Sequence, residues 1–257
     1  MIAALQKKHS APPLHFRRIE VKYVLPDRLI PAFRDRIAPY TQPDPFLVEE
    51  GVGRSQYPVT SLYFDSIDLH SLYEKEAGLL SRRKVRLRTY AKEFSEQGYA
   101  FLEIKRRHDF VVSKDRLSLS VGHLHDKLPM AHLLDHVLER VEADEAVTNE
   151  AHLIQSWYNL QPTSLVSYMR TPFVGMQDRR FRITIDGDME TVWKPRTLMG
   201  PQIRTACHKG FSVVEMKCNH AIPSWFHDII QEFELCRTAH SKYALCVQHG
   251  AGLLTGY

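Results

Sequence analysis

Cysteine is scarce in this chain. Four occur in 257 residues, at Cys207, Cys218, Cys236 and Cys246, and no two form a C-x-x-C pair. A disulfide framework is therefore excluded, and a reducing cytoplasm is the expected compartment. Long apolar runs are missing too, and no stretch approaches the ~20 residues of a membrane-spanning helix. Residues 1–14 lack the apolar core of a secretory signal and read as a disordered leader. There is no G-x-x-x-x-G-K-[ST] loop, so a nucleotide would be held by its phosphates with weak base selectivity. Cys218-Asn219-His220 with Cys236 and His240 imitates a zinc pattern, but the spacings are poor and zinc is not expected. Repeats and low-complexity tracts are absent. The net charge is only +4, a small electrostatic footprint for a nucleic-acid binder.

What the chain does have is a set of strands with charge at alternate positions. Lys84-Val85-Arg86-Leu87-Arg88, Leu102-Glu103-Ile104-Lys105 and Val112-Ser113-Lys114-Asp115-Arg116-Leu117 are three of them. Phe181-Arg182-Ile183-Thr184-Ile185-Asp186 and Val213-Val214-Glu215-Met216-Lys217 are two more. Successive side chains on a strand point to opposite faces. One face thus collects Lys84, Arg86, Arg88, Lys105, Lys114, Arg116, Arg182 and Lys217. Like charges on neighbouring strands repel, so this array calls for a polyanion. If the sheet closes into a barrel, the charged face becomes its lumen.

Further strands are expected at 16–25, 59–64, 163–174 and 179–187, with hairpin partners at 82–91, 99–106 and 110–119. Residues 41–56 read as a loop, and 191–209 as irregular. Helices are expected over 28–37 and 69–76, the latter stopped by Gly78, and from Pro223 and Ser241 onward. Leu133, Leu134, Val137, Leu138 and Val141 recur at helical spacing, and 151–158 follows as a second helix. These helices interrupt one series of similar strands. The expectation is a single α+β domain over 15–257 with a helical insertion. Asp186 reads as a strand-end cap at the turn Gly187-Asp188. Tyr63, Tyr90 and Tyr243 read as packing groups.

Arg17-Arg18-Ile19-Glu20-Val21-Lys22-Tyr23, Ser61-Leu62-Tyr63-Phe64-Asp65-Ser66, Arg83-Lys84-Val85-Arg86-Leu87-Arg88-Thr89-Tyr90, Phe101-Leu102-Glu103-Ile104-Lys105-Arg106, Val214-Glu215-Met216-Lys217 and Ser241-Lys242-Tyr243 stand in order along the chain. Together they resemble the VTC domain, the polyphosphate polymerase domain of the vacuolar transporter chaperone family, within the triphosphate tunnel metalloenzymes. The likeness covers about residues 16–248. It implies an eight-stranded antiparallel β-barrel, a tunnel whose basic lining grips triphosphate or polyphosphate.

Carried onto this sequence, the resemblance makes Lys22, Lys84, Arg86, Arg88, Lys105, Lys114, Arg116, Arg170, Arg182, Lys217, Ser241 and Lys242 phosphate ligands. Within that set, Lys22, Arg86, Arg88, Lys105, Arg182 and Lys242 carry the catalytic role. Glu215, with Glu103 and Glu20, would hold Mn²⁺ or Mg²⁺, although Glu103 also reads as an ion-pair partner that orients neighbouring cations. The implied activity is transfer of the γ-phosphate of ATP to a growing polyphosphate chain. A tripolyphosphatase or nucleoside triphosphatase, and a non-catalytic polyphosphate sensor, stand as alternatives. Triphosphatase members carry E-x-E-x-K on the first strand; here Arg18-Ile19-Glu20-Val21-Lys22 has Arg at the first acidic position, which favours the polymerase. The short leader leaves no room for the sensing domain of eukaryotic relatives. A membrane would be reached only through a membrane-protein partner for export, and nothing fixes the oligomeric state.

Overall fold

The computed structural model describes residues 18–45, 47, 55–109, 111–124, 129–141, 145–219 and 221–252. The expected leader and His220 of the zinc-like pattern lie outside these residues. The strands are β1 (Arg18–Pro26), β2 (Thr41–Pro43), β3 (Tyr57–Asp65), β4 (Ser81–Thr89), β5 (Tyr99–His108), β6 (Val111–Ser120), β7 (Gln161–Gly175), β8 (Arg182–Trp193), β9 (Thr205–Ala206) and β10 (Phe211–Asn219). The helices are α1 (Ile30–Ile37), α2 (His70–Glu76), α3 (Leu133–Arg140), α4 (Glu145–Tyr158), α5 (Ser224–Glu232) and α6 (Lys242–Gly250).

The chain folds as two compact units. The first contains residues up to Tyr57, Tyr168–Met189 and His208–His240; the second contains Pro58–Ser167, Glu190–Cys207 and the chain from Ser241 onward. Strands β7 and β8 contribute to both. In the first unit the hydrogen-bonded order is β1-β10-β8-β7, with β2 on β7. In the second it is β7-β3-β4-β5-β6, with β9 on β8. The class is α+β, and the β1–β10, β10–β8, β3–β4, β4–β5 and β5–β6 pairs are antiparallel as expected. Among the described residues no hydrogen-bonded ladder returns from β6 to β1, so backbone pairing does not close the sheet as a barrel would.

Alternation decides which face is core. In the second unit Val85, Leu87, Leu102, Ile104, Leu117 and Leu119 are buried against α3 and α4. Leu133, Leu134, Val137 and Leu138 form the apolar stripe of α3 that covers them. Burying each such side chain stabilises by about 1.5–3 kcal/mol. In the first unit Val21, Tyr23 and Leu25 of β1, Ile183 and Ile185 of β8, and Val214 and Met216 of β10 pack with Phe33, Ile37, Phe226 and Ile229 of α1 and α5. The helical insertion is α3 and α4, and α4 begins at Glu145, earlier than the expected 151, because tertiary packing extends it past its most periodic residues.

Three local expectations change. The stretch expected as irregular over 191–209 contains β9, whose Thr205 pairs with Thr191 of β8. The loop expected over 41–56 contains β2, whose Thr41 pairs with Gly175. Strand β8 runs through Gly187-Asp188 to Trp193 instead of turning there. At Gly187 a β-carbon would sit 2.9 Å from the Ser212 hydroxyl, so glycine lets β10 approach closely.

Candidate functional site

The second unit carries its charge in cross-strand rows. Lys84, Lys105 and Lys114 face one another across β4, β5 and β6, and Arg86, Glu103 and Arg116 form the next row. Arg88 follows on β4, opposite Phe101. These rows hold six cations and one carboxylate on one face.

That carboxylate organises the rest. Glu103 is 0% exposed. Arg86 Nε donates to its Oε2 at 2.7 Å, and Arg116 Nε donates to its Oε1 at 2.7 Å. Lys114 Nζ donates to the same Oε1 at 3.1 Å, and Arg88 Nε lies 3.9 Å from Oε2. Burial pushes the Glu103 carboxyl upward, but Arg86, Arg88, Lys114 and Arg116 outweigh it and hold the group well below the usual carboxylate range. Glu103 was expected either with the metal carboxylates or as an ion-pair partner that orients neighbouring cations. Its oxygens are engaged by guanidinium and ammonium groups, which suits the second role, an anion that spaces and orients cations.

The same surroundings act on Lys114. Burial, more than any neighbour, brings its ammonium down to about 8, and Arg116 and Arg86 add to this while Glu103 opposes. The aromatic residues are more than packing groups. Arg86 donates to the Tyr63 hydroxyl at 3.0 Å, and Arg116 donates to the Tyr90 hydroxyl at 2.7 Å. Burial would raise the Tyr63 phenol, yet Arg86 and Arg88 together bring it below its ordinary value. The Arg116 guanidinium also lies 4.8 Å from the Phe101 ring centroid, and the Lys84 ammonium 5.1 Å from that of Tyr243. Tyr63 shares its face with Ser61, which accepts from Arg88 Nε at 3.0 Å. Period-two alternation on β3 was the signal for this role.

The α6 end reaches the same array. Ser241 caps α6 by accepting from the Ala244 amide at 3.3 Å, and it accepts from Lys84 Nζ at 3.0 Å. Lys242 is the first residue of that helix, and its charge helps to lower the Tyr63 phenol. Tyr243 donates to Oδ2 of buried Asp65, whose Oδ1 accepts the Ser71 amide at 2.8 Å. Asp65 therefore ties the start of α2 to the helix that presents Ser241 and Lys242. The sequence offers Asp65-Ser66 as the cap of α2, and Asp65 and Ser66 do accept its first amides; the bond to Tyr243 is what the sequence did not signal.

The first unit brings together Lys22, Glu20, Glu215 and Lys217. Lys22 faces Glu215 and Glu20 faces Lys217 across β1–β10. Lys22 Nζ lies 3.5 Å from Glu20 and 3.9 Å from Glu215. Lys217 pairs closely with Glu215 and lies 3.9 Å from Glu20. Two carboxylates thus converge on shared positive charges. Carboxylate oxygens are the donor type that a hard divalent cation takes, and here they are shared with two ammonium groups. Among the described residues no group of three or more His, Cys, Asp or Glu side chains is placed to hold a metal by itself.

Arg170 and Arg182 are each oriented by a carboxylate. Arg170 forms a two-pronged pair with buried Asp186, both contacts at 2.7 Å. Burial works against the Arg170 charge, and Asp186 more than offsets it. Asp186 is therefore an ion-pair partner within β8, not a strand-end cap. Arg182 pairs with Asp44 beside β2. No described helix is long and apolar enough to cross a membrane.

No curated protein matches this chain. Among solved structures it is similar to a candidate adenylate cyclase from Bacillus halodurans, 13% identical over 87% of this chain and 93% of the other, with a TM-score of 0.48. It is also similar to a candidate adenylyl cyclase from Hippeastrum described as having a dominant triphosphatase activity. That protein is 14% identical over 91% of this chain and 96% of its own, at a TM-score of 0.52, and the likeness is one of fold. The family model of the VTC domain matches residues 17–249, from the first strand to the last helix, and the chain belongs to the VTC domain family.

Proposed function

We propose that this protein is a metal-dependent polyphosphate polymerase that transfers the γ-phosphate of ATP to a growing polyphosphate chain. The observation that carries the reading is the face of six cations arranged around the single carboxylate of Glu103. Phosphoryl transfer needs positioning and charge stabilisation more than covalent help from the protein. Arg86, Arg88 and Arg116 offer planar forks for phosphate oxygens, while Lys84, Lys105 and Lys114 act as point charges. A terminal oxygen of the acceptor chain forms the new P–O bond, the bond from γ-phosphorus to the β–γ bridging oxygen breaks, and ADP leaves. The first unit supplies Glu215 and Glu20 to hold Mn²⁺ or Mg²⁺, which when bound neutralises charge on phosphate oxygens. Lys22, Arg170, Arg182 and Lys217 there, and Ser241 and Lys242 in the second unit, are assigned to phosphate positioning.

Water as acceptor would give a triphosphatase, the activity named for the Hippeastrum protein. Arg18 at the first acidic position of E-x-E-x-K favours the polymerase. The test is to incubate the protein with ATP and Mn²⁺, then resolve products on a polyphosphate-stained gel while assaying free phosphate. A ladder of long chains supports the polymerase; free phosphate without polymer replaces it with the hydrolase. Glu215→Gln is expected to abolish turnover while keeping part of the triphosphate binding, and unchanged turnover would remove the metal role from Glu215.

A further inference from the structure

The basic face of β4 and β5 continues past the residues assigned above. The register that pairs Lys84 with Lys105 also pairs Arg82 with Arg107, two residues nearer the strand ends. Val112 completes that row on β6. Period-two alternation puts Arg82 and Arg107 on the face of Lys84, Lys105 and Lys114. Two residues of antiparallel strand span about 6.8 Å, so the face runs about 14 Å from the Arg86 row to the Arg82 row.

Arg82 and Arg107 are directly opposed like charges, an arrangement that costs stability by itself. Among the described residues neither has a carboxylate within ion-pair distance; Arg107 Nε donates to the Asp109 carbonyl at 2.8 Å. The Arg82 guanidinium is held below its ordinary value by burial first and by the charge of Arg107 second, with the charge of Glu74 opposing. Arg106, on the opposite face, shows the contrast, because it is paired with both Glu150 and Asp115. Among the described residues the Arg82–Arg107 pair has no carboxylate in ion-pair contact.

We propose that Arg82 and Arg107 form a distal phosphate subsite that grips an inorganic polyphosphate chain beyond the three phosphates held by the inner rows. This rests on the phosphate reading of the inner rows and adds chain length as the property being selected. Two arginines facing one strand of repeating anions hold any register of the chain equally well, which suits a polymer that moves past them.

The experiment compares binding of tripolyphosphate and of long-chain polyphosphate to the wild-type protein, to Arg82→Ala/Arg107→Ala and to Arg82→Lys/Arg107→Lys. The wild type should bind the long chain more tightly. The alanine pair should bind tripolyphosphate within about twofold of wild type and long chains about tenfold more weakly, the equivalent of about 1.4 kcal/mol. The lysine pair should recover most of that loss, and all three proteins should melt alike. Unchanged long-chain affinity in the alanine pair overturns the subsite while leaving the inner rows intact. An equal loss for both anions also overturns it, since the arginines would then act on the triphosphate itself. Failure of the wild type to bind either anion overturns the phosphate reading and this proposal with it.

Discussion

Arg86 and Glu103 face each other across β4 and β5 and are joined by an Nε–Oε2 hydrogen bond of 2.7 Å. The pair shows how a fully buried carboxylate can sit in a face built for anions: it separates cations that would otherwise repel. Replacing it should expose that repulsion. Glu103→Gln is expected to lose about 3–5 kcal/mol of stability, because it leaves buried cations without their counter-charge. Added tripolyphosphate should raise the melting temperature of the variant more than that of wild type. A variant that melts like wild type would show that Glu103 is not the organising charge.

Lys114 provides a pH signature. Its folded-state value of about 8 lies below the ordinary 10.5, so between these values the unfolded chain binds a proton that the native state has released. Stability linked to this residue therefore rises with pH across that window. Triphosphate binding should move the other way, weakening as pH rises through about 8 and the ammonium is lost. Lys114→Arg should flatten that part of the affinity profile, and an unaltered profile in the arginine variant would rule Lys114 out as its source.

Lys105 offers a test of the inner rows that leaves the Arg86–Glu103 bond in place. It sits between Lys84 and Lys114 in the register. Lys105→Ala should weaken tripolyphosphate binding about tenfold, equivalent to the loss of one charge-assisted contact. Calorimetry measures this directly. Equal affinity in the variant would place the anion elsewhere on the face.

Arg170 and Asp186 form a buried two-pronged pair in the first unit. Breaking one side strands the other charge, so Asp186→Ala should cost about 3–5 kcal/mol in denaturant unfolding. Replacing both residues with apolar side chains of similar volume should recover most of the loss. If the double replacement is as unstable as the single one, packing rather than charge isolation sets the cost.

The strands of the basic face were legible because period-two alternation is a local property. Lys84, Arg86 and Arg88 could face one way only if Val85 and Leu87 faced the other, and the buried Val85 and Leu87 confirm that division. The apolar spacing of Leu133, Leu134, Val137 and Leu138 marked α3 in the same way. The order of the motifs carried the family resemblance, and the VTC domain match over 17–249 agrees with it.

Partnership was not legible, because it depends on residues distant in the chain. The sequence determined which side chains share a face, since the pleat of a strand allows only two choices. It could not determine that Glu103 is surrounded by cations from β4 and β6, that Asp186 is taken by Arg170, or that Asp65 ties α2 to α6 through Tyr243. Those assignments follow from strand register and helix docking, which the chain fixes only when it buries its apolar faces. Charge pattern alone leaves a carboxylate's partner open; only the tertiary structure put Asp186 beside Arg170 and Glu103 among Arg86, Lys114 and Arg116.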